Sequence, residues 1–396
     1  MKLIHIKIIA SLFLSVNAVN SQETFKLMFY NVLNYPSQEP ASRIQNLETI
    51  IDDYRPDLFM ICELNNETGA NNILNTLQDI NTNYSRAAFV LNTSDNTIGD
   101  QNDLQNMIYY DSTKFILNSQ TEITTLYRDF NHYTLTLNTV DQLTNPIVIN
   151  VFVCHLKSSS GTDNQNLRLD MVEDFTDYLA TMPNDSYVVL GGDFNFYTNS
   201  EPGFQELIDV TNNIPLVDPA DRIGSWHNNL NYLDVFTQST RTQSGLGGAT
   251  GGFDDRFDFI MTSENMLSNT DIFYVNDSYQ VYGNNNNSNC YNSEINSADC
   301  DGEEFSSTIR NALYYMSDHL QVTLELITNE TLTNSEVSLN NAIEFYNGNI
   351  SNDAIVLKIN DSNLLYKNIT IVNYLGQKIN TILIEELNQL AIDVSN

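Results

Sequence analysis

Positively charged residues are scarce in this sequence. Its 396 residues include 17 Lys and Arg against 50 Asp and Glu, which gives a formal net charge of −33. A surface this acidic repels phosphate backbones at long range, which argues against a basic groove that holds nucleic acid by neutralising many phosphates. Charged residues make up 17% of the chain and hydrophobic residues 41%. The apolar content suffices for a sizeable core, so wholesale disorder is excluded.

Long hydrophobic runs are also lacking, apart from one short run near the N-terminus. Residues 1–22 place Lys2 and Lys7 before an apolar run at 8–16, which small residues around Ala18 follow. This order is typical of a secretory signal peptide, and the run is shorter than the roughly 18 residues of a membrane-spanning helix. The sequence therefore predicts a secreted or cell-surface protein without stable membrane insertion. A buried N-terminal helix is the alternative.

Cysteine is rare, and its four positions fall into two groups. Cys290 and Cys300 lie in an Asn-rich loop without apolar periodicity, where a bridge would order the chain. Because export permits disulfides, we predict that these two are bonded. Cys62 and Cys154 end strongly apolar runs, where a free cysteine behaves as a small core hydrophobe. No cluster of Cys and His supports a zinc site.

Short apolar runs and helical periodicity alternate along most of the chain. Two stretches repeat apolar residues at helical spacing, 44–51 before Pro56 and 167–179 before Pro183. Eight runs of strand length predict buried strands: 26–31, 57–63, 106–111, 132–137, 147–155, 187–193, 256–261 and 319–326. This pattern predicts an α/β sandwich of two packed sheets with helices outside them.

The chain divides into three predicted parts. Residues 1–22 are the signal peptide, and residues 23–328 form the sandwich domain. Residues 329–396 are Asn-rich, carry few charges and contain short alternating strands, which predicts a separate small β domain.

Polar or ionisable residues stand at the ends of many predicted strands. Taken singly, each has an ordinary explanation as a turn residue, a rim acid or a satisfied histidine. Function in α/β sheets collects at one edge, where a rigid scaffold positions the loops, so the set predicts a site. Its members are Asn31, Glu63, His155, Asp193, Asp318 and His319.

Six short motifs at these strand ends recur in a familiar order. They are YNVLNY at 30–35, ICELNN at 61–66, CHLKS at 154–158, GGDFNFY at 191–197, DDRFDFIM at 254–261 and SDHLQV at 317–322. In this order they resemble the endonuclease/exonuclease/phosphatase superfamily, the deoxyribonuclease-like metal phosphodiesterases. The resemblance implies a four-layer α/β sandwich, two mixed sheets flanked by helices, and Mg²⁺-dependent hydrolysis of a phosphoester.

The resemblance also implies roles for individual residues. Glu63 is the principal metal ligand, with Asn31 and Asp318 beside it, and such oxygen ligands suit Mg²⁺, with Mn²⁺ or Ca²⁺ as alternatives. His319 is the general base or a phosphate contact, and Asp258 orients its imidazole.

The remaining implied roles concern the substrate. Asp193 and Asn195 position the attacking water and a phosphate oxygen, and His155 donates to a phosphate oxygen or to the leaving group. Members that use this histidine as an acid pair it with a glutamate just before the strand at 106–111. That glutamate is missing here, so phosphate binding is the role we assign to His155. Further candidates for substrate contacts are Lys157, Arg241 and Trp226, with ordinary loop cations and a packed tryptophan as the alternatives.

These roles imply an exported, monomeric, metal-dependent phosphodiesterase, with an endonuclease acting on nucleic acid as the first expectation. The alternative is a phosphatase or a sphingomyelinase-like enzyme acting on small or lipid phosphoesters, which the net charge favours. A Ca²⁺-binding adhesion module would show acidic repeats, and the sequence has no internal repeat. The glycine-rich stretch 245–252 lacks the lysine of a P-loop and predicts a flexible loop beside the active site.

The C-terminal segment carries its own resemblance. Residues 341–380, with the phrase ITIVNYLGQKI, resemble the sorting domain of the type IX secretion system, which implies contact with that secretion machinery. The Gly-x-Tyr phrase of the final strand of such domains is missing before the end at DVSN, which predicts a truncated or divergent tail. A β module that binds a carbohydrate or a partner is the alternative.

Overall fold

The computed structural model describes residues 22–94, 104–268 and 270–333, together with five strands between 343 and 393. The chain divides into two units, of which Gln22–Leu332 is the larger, and each unit is described by itself. Residues 1–21 of the predicted signal peptide lie outside the described residues. Among the described residues, no helix is long and apolar enough to cross a membrane.

The larger unit is built on two mixed sheets. Their strands are β1 (Glu23–Tyr35), β2 (Leu58–Leu64), β3 (Tyr84–Arg86), β4 (Gln105–Asp111), β5 (Phe115–Ile123), β6 (Phe130–Leu137), β7 (Val148–His155), β8 (Tyr187–Asp193), β9 (Leu216–Val217), β10 (Asp258–Ser263), β11 (Ile272–Tyr274), β12 (Gln280–Tyr282) and β13 (Gln321–Thr328). The first sheet has the order β11-β13-β1-β2-β4-β3, with β12 also paired to β13. The second has the order β5-β6-β7-β8-β10-β9.

Five α-helices and four short 3₁₀ turns connect these strands. The α-helices are α1 (Arg43–Tyr54), α2 (Glu67–Ile80), α3 (Thr162–Leu179), α4 (Pro202–Leu207) and α5 (Ser307–Met316) in the described part of the chain. The 3₁₀ turns are Leu230–Val235, Glu264–Leu267, Ser288–Cys290 and Ala298–Cys300. All eight predicted strands and both predicted helices are present, whereas α2, α4, α5, β5 and the short strands had not been predicted.

The two sheets pack face to face through alternate residues of their central strands. Phe29 and Met60 of the first sheet belong to the same buried cluster as Val151 and Val189 of the second. Gly191 allows a close approach, because a Cβ atom at this position would lie 2.8 Å from the sulfur of Met60. The predicted fold class, an α/β sandwich of two mixed sheets flanked by helices, is confirmed.

The opposite faces of the sheets carry the helices. Leu47, Ile50 and Ile51 of α1 are fully buried, as the helical spacing predicted. Phe175 of α3 stacks on Phe130 of the second sheet, with ring centroids 4.6 Å apart. Each sheet is therefore apolar on both faces, which explains why its strands read as nearly continuous hydrophobic runs.

The cysteines lie as the sequence predicted. Cys290 and Cys300 form a disulfide, which joins two of the 3₁₀ turns. Cys62 and Cys154 are free and buried, and burial raises the pKa of both thiols.

A buried ion pair ties α3 to the start of α4. Arg168 donates to Glu201 at 2.9 Å and 2.6 Å, and both side chains are almost fully buried. We expect Glu201→Ala to lower the free energy of unfolding by about 3–5 kcal/mol in urea titrations, because it leaves a buried guanidinium unpaired. The exposed pair Arg86–Glu67 supplies the control, and Glu67→Ala should cost about 1 kcal/mol or less. Equal effects of the two variants would contradict the prediction.

The C-terminal unit has two small sheets. Its strands are β14 (Ile343–Phe345), β15 (Ala354–Ile359), β16 (Asn368–Val372), β17 (Lys378–Leu383) and β18 (Gln389–Asp393). One sheet has the order β14-β15-β18, and the other pairs β16 with β17. All of these described neighbours are antiparallel.

Candidate active site

The sheet topology brings the strand-end residues to one edge of the sandwich. The strands β1 and β2 are parallel, as are β7 and β8, so their carboxyl ends lie together and carry Asn31, Glu63, His155 and Asp193. The strand β10 is antiparallel to β8, and β13 is antiparallel to β1. Their beginnings therefore reach the same edge. Asp258 begins β10, and Asp318 and His319 directly precede β13.

Register places most of these side chains in the layer between the sheets. His155 and Asp258 are both paired with Asp193, one on each side of it. Alternation along β8 puts Asp193 on the same face as Gly191, which contacts the first sheet. The polar site thus continues the apolar layer between the sheets at its open end.

Glu63 reaches this layer only because β2 is irregular there. Cys62 already points between the sheets, so regular alternation would turn Glu63 to the outer face. The pairing register of β2 shifts between Ile61 and Leu64, and Glu63 has a left-handed backbone with φ 59°. A bulge of this kind re-aims a side chain, and left-handed non-glycine residues concentrate at functional sites.

Asn31 links two of the carboxylates. Its Nδ2 donates to Glu63 Oε1 at 2.9 Å and to Asp193 Oδ2 at 3.0 Å. Its Oδ1 accepts from the backbone N–H of Leu33 at 2.9 Å. In this structure Asn31 bridges the two carboxylates by hydrogen bonds, and its role as a metal ligand stays a prediction.

Asp318 contacts the glycine-rich loop 245–252, and its Oδ2 lies 3.9 Å from His319 Nε2. Its Oδ2 accepts from the backbone N–H of Ala249 at 2.6 Å, and its buried Oδ1 has no hydrogen-bond partner. Gly248 has φ 71°, and a Cβ there would collide with the Asp318 carboxylate. Burial raises the pKa of Glu63, and the negative charge of Asp318 raises it further. The loop lies beside the site, as predicted, and glycine is required where it passes Asp318.

His319 is held by Asp258, the pairing that the motif order implied. Its Nδ1 lies 2.7 Å from Asp258 Oδ2, and both side chains are buried. Burial by itself lowers the pKa of His319, but the negative charges of Asp258, Asp318 and Asp193 outweigh burial and hold the pKa well above its usual value. On the other side of the ring, Nε2 lies 2.5 Å from the side-chain nitrogen of Gln238.

His155 faces Glu63 and Asp193 without a partner of its own. Its Nε2 lies 3.9 Å from Glu63 Oε1 and 3.5 Å from Asp193 Oδ2. Its buried Nδ1 has no hydrogen-bond partner, which agrees with the missing glutamate. Burial lowers the pKa of His155 well below its usual value, and the nearby charges of Arg128 and His319 lower it further. The imidazole is therefore neutral near pH 7.

Arg128 is a residue of this site that the sequence analysis missed. It lies two residues before β6, and its Nη1 donates to the backbone carbonyl of Leu156 at 2.9 Å. Its Nε is buried without a hydrogen-bond partner, and its positive charge lowers the pKa of Glu63. The beginning of β6 meets the end of β7 because these strands are antiparallel. Only that pairing distinguishes Arg128 from an ordinary loop cation.

Asp193 and Asn195 share one turn at the end of β8. Asp193 Oδ1 accepts from the backbone N–H of Asn195 at 3.2 Å, and Asn195 is left-handed with φ 53°. The side chain of Asn195 donates to the carbonyl of Leu156 at 3.4 Å. Burial raises the pKa of Asp193, and the charges of Asp258 and Glu63 add to this effect. Both residues therefore belong to the site, with Asp193 nearer its centre.

Two predicted substrate contacts are wrong. Trp226 is fully buried and donates from Nε1 to the carbonyl of Phe196 at 2.7 Å, so it packs in the core and cannot stack on a substrate. Arg241 is also fully buried, and it donates to the carbonyls of Tyr314 at 2.8 Å and Gly247 at 3.0 Å. It holds the glycine-rich loop instead of a phosphate.

Lys157 remains a candidate for a substrate contact. Its Nζ donates to the carbonyl of Ser158 at 2.8 Å and lies 5.4 Å from the centre of the Tyr127 ring. Partial burial and the charges of Arg128 and Arg168 lower its pKa. Its charge also acts on His155, so the side chain lies at the edge of the site.

Two overlapping groups of side chains are close enough to hold a metal ion. The first is Glu63, His155 and Asp193, and the second is Asp193, Asp258 and His319. The ligating atoms within each group lie within 4.8 Å of one another. The second group contains the histidine–aspartate pair, which leaves the side of Glu63 as the better place for a cation.

Comparisons with known proteins find similarity only at the level of structure. No protein-family profile matches the sequence. No curated protein matches it either. Among solved structures, zebrafish (D. rerio) TDP2 complexed with a single-strand DNA product is 15% identical over 76% of this chain and 98% of that chain, with a TM-score of 0.48.

Two further solved structures are similar to the same degree. An endonuclease/exonuclease/phosphatase family protein from Bacteroides thetaiotaomicron is 12% identical over 78% of this chain and 96% of that chain, with a TM-score of 0.47. The catalytic domain of human Nocturnin with a bound sulfate anion is 15% identical over 76% and 94%, with a TM-score of 0.45. At these values the similarity carries no argument about the reaction, which must come from the site itself.

Asp254, which is next to the paired residues His227 and Asp255, predicts a pH-dependent free energy of unfolding. His227 Nδ1 lies 2.5 Å from Asp255 Oδ1, and burial together with the charge of Asp255 raises the pKa of the neighbouring Asp254 to about 6. The folded state therefore keeps a proton that the unfolded state releases near pH 4, so stability falls as the pH rises from about 4 to about 6.

We expect Asp254→Asn to remove this loss. Its free energy of unfolding above pH 6 should exceed that of the unchanged protein by about 1 kcal/mol, a figure discounted because Asp254 is only half-buried. Urea titrations at several pH values measure this difference, and Asp79→Asn on the exposed face of α2 is the control. Identical pH profiles for Asp254→Asn and the unchanged protein would contradict the prediction.

Proposed function

We propose that this protein is an exported, divalent-metal-dependent phosphodiesterase whose active site is the strand-end cluster of the larger unit. The observation that carries the proposal is the buried pair of His319 and Asp258, 2.7 Å apart, next to the carboxylates of Asp193 and Asp318. Asn31 joins Asp193 in turn to the carboxylate of Glu63. A histidine oriented by a carboxylate is a general base, and the neighbouring carboxylates supply the oxygen ligands that hard cations prefer.

The residues present fit a divalent cation. The charge of Asp318 adds to burial in raising the pKa of Glu63, and Asp318 Oδ1 is buried without a partner. Buried carboxylates in this arrangement lack compensating charge, which a cation supplies. Glu63 and Asp318 would hold it, with Asp193 as the third carboxylate. Mg²⁺ is the expected ion, with Mn²⁺ or Ca²⁺ as alternatives.

The side chains divide the chemistry among them. A divalent cation, when bound, neutralises negative charge on the phosphoryl oxygens. The charges of Asp258, Asp318 and Asp193 hold the pKa of His319 high, so its imidazole becomes a base only when the charges of Asp318 and Asp193 are compensated. In that neutral form His319 takes the proton of the attacking water at Nε2, while Asp258 holds Nδ1 and stabilises the imidazolium that forms. His155, neutral because of its burial, donates to a phosphate oxygen, and Arg128 offers its unpaired Nε–H to the same phosphate.

The substrate class has two candidates. Nucleic acid, cleaved internally, is the class that the sequence motifs imply. A small or lipid phosphoester is the alternative, and the scarcity of cations favours it. The N-terminal residues support export, and the C-terminal strands, with the phrase ITIVNYLGQKI, support recognition by a type IX secretion machinery. Monomeric action stays a prediction.

Metal-free protein, prepared with EDTA, tests the proposal most directly. It should hydrolyse at least one phosphodiester after addition of Mg²⁺ or Mn²⁺ and none before. Plasmid DNA, RNA, sphingomyelin and bis(p-nitrophenyl) phosphate cover the candidate substrates. Failure with every substrate and every cation would overturn the proposed function.

A further inference from the structure

The positive charges of the larger unit are almost all committed to holding the fold. The sequence places twelve Lys and Arg between residues 22 and 332. Six arginines are at most 7% exposed and donate to backbone carbonyls or buried carboxylates, namely Arg43, Arg128, Arg168, Arg241, Arg256 and Arg310. Buried in this way, they add little to the charge that a large anion meets at the surface.

The surface cations are paired or lie far from the site. Three arginines pair with neighbouring acids, as Arg55 with Asp52, Arg86 with Glu67 and Arg222 with Asp234. Lys26 lies near the beginning of β1, at the edge opposite to Asn31. Lys114 is beside it, because its Nζ pairs with Asp57 at 2.8 Å and donates to the carbonyl of Thr24.

Of these twelve cations, only Lys157 and, among the six buried arginines, Arg128 lie at the active site beside the end of β7. Lys157 forms no ion pair within the described part of the chain, and Arg128 donates to the backbone carbonyl of Leu156 at the end of β7. Arg241 also keeps a buried nitrogen without a partner, but its other donors hold the carbonyls of Tyr314 and Gly247. Arg128 Nη1 donates to the backbone carbonyl of His155 at 3.4 Å, and Lys157 follows His155 by two residues, so both cations lie near the same imidazole. Residues 95–103 lie outside the described residues, and their sequence contributes three Asp and no cation.

We propose that the enzyme binds its substrate through a single phosphate. It therefore acts on compact phosphodiesters and does not bind along a polynucleotide backbone. This inference rests on the proposed function and names its substrate class. A protein that tracks nucleic acid neutralises many phosphates, and the logarithm of its affinity falls with the logarithm of salt at a slope of about −0.9 for each phosphate on duplex DNA. Two cations beside one imidazole serve one phosphate, while the surrounding acidic surface repels the next.

Salt dependence and chain length test the inference together. With Mg²⁺ present, kcat/KM per bond should be equal within about tenfold for a dinucleotide and a long single strand. For the long strand, the slope of the logarithm of kcat/KM against the logarithm of the NaCl concentration should be no steeper than about −2. A preference above about 100-fold for the long strand, or a slope of −4 or steeper, would overturn the inference while leaving the proposed function standing. Hydrolysis of no substrate would contradict both.

Binding provides a readout that does not depend on turnover. The His319→Ala variant should bind a fluorescent 30-nucleotide strand with a Kd above about 100 μM in 150 mM NaCl, at the weak end of non-specific binding. A Kd below 1 μM would overturn the inference. Lys157→Ala should raise KM for short and long substrates by the same factor, about tenfold, and Lys26→Ala is the matched control. An unchanged KM in Lys157→Ala would contradict binding through a single phosphate.

Added positive charge near the site tests whether the scarcity of cations is the reason for weak binding of a long strand. The double variant Gln38→Lys with Glu39→Lys puts two cations beside the glycine-rich loop, because Gln38 is the neighbour of Gly247. It should improve the affinity for the long strand at least tenfold and steepen the salt slope by about one to two. Glu48→Lys, on the exposed side of α1, is the control and should change neither value. No gain from the double variant would contradict the role of charge.

Discussion

Replacement of His319 by alanine should lower kcat by at least about 100-fold, because a positioned general base contributes 10²–10⁴-fold. The loss falls on the transition state, since the imidazole lies 2.7 Å from Asp258 and faces the carboxylate cluster. KM should change much less than kcat. Steady-state kinetics with a phosphodiester and Mg²⁺ measure both values, and circular dichroism checks that the variant is folded.

His227→Ala is the matched control for this experiment. His227 also pairs with an aspartate, Asp255, at 2.5 Å, but its side chain is 43% exposed and it has no part in the site. Its removal should leave kcat within about twofold. Asp258→Asn should lower kcat nearly as far as His319→Ala, and the double variant should be little worse than either, because the two residues act as one unit. Near-normal turnover in His319→Ala would overturn the assignment of the base.

Glu63→Gln should abolish most activity by removing the charge that holds the cation. We expect kcat/KM to fall at least about 100-fold, since charge stabilisation by a metal contributes several kcal/mol. The thermal midpoint offers a second readout. Addition of Mg²⁺ should raise Tm of the unchanged protein and leave that of Glu63→Gln almost unchanged. Without metal the variant should be the more stable of the two, because burial and Asp318 disfavour the ionised Glu63 carboxylate.

Glu67→Gln separates this effect from a general loss of negative charge. Glu67 lies four residues further along, in the first turn of α2, and its side chain is 63% exposed. Its substitution should alter neither the metal-dependent rise in Tm nor kcat/KM. An equal Mg²⁺-dependent rise in Glu63→Gln and in the unchanged protein would contradict the ligand role of Glu63.

Much of the fold could be predicted from the sequence because burial leaves a local pattern. Strands covered on both faces, such as β7 and β8, read as short apolar runs, and α3 shows its buried side at helical spacing. The short strands β9, β11 and β12 carry too few residues for such a pattern. They were not predictable, since their pairing depends on partners distant in sequence.

The candidate site could be predicted in part, because functional residues of α/β sheets lie where strands end at one edge of the sheet. Glu63, His155, Asp193 and His319 were found because polar residues interrupt apolar runs at those positions, whereas Asp258 was implied by the resemblance in motif order. The sequence could not predict that the Glu63 side chain points between the sheets. Regular alternation would place this side chain on the outer face, and the bulge in β2 directs it inward. The amide orientation of Asn31 likewise depends on the carboxylates that surround it.

By itself, the sequence determined the two-sheet class, the disulfide between Cys290 and Cys300, and the order of the strand-end motifs. Only the tertiary structure decided which cations meet the substrate. A charged side chain looks the same in sequence whether it holds a loop or reaches a phosphate. Arg241 and Arg128 are both buried, donate to backbone carbonyls and keep one unpaired nitrogen, but the carbonyls that Arg241 holds belong to Tyr314 and the glycine-rich loop, whereas those that Arg128 holds belong to His155 and Leu156. The physical reason is that burial and pairing of charge depend on strands that meet across the sheet, and these are far apart along the chain.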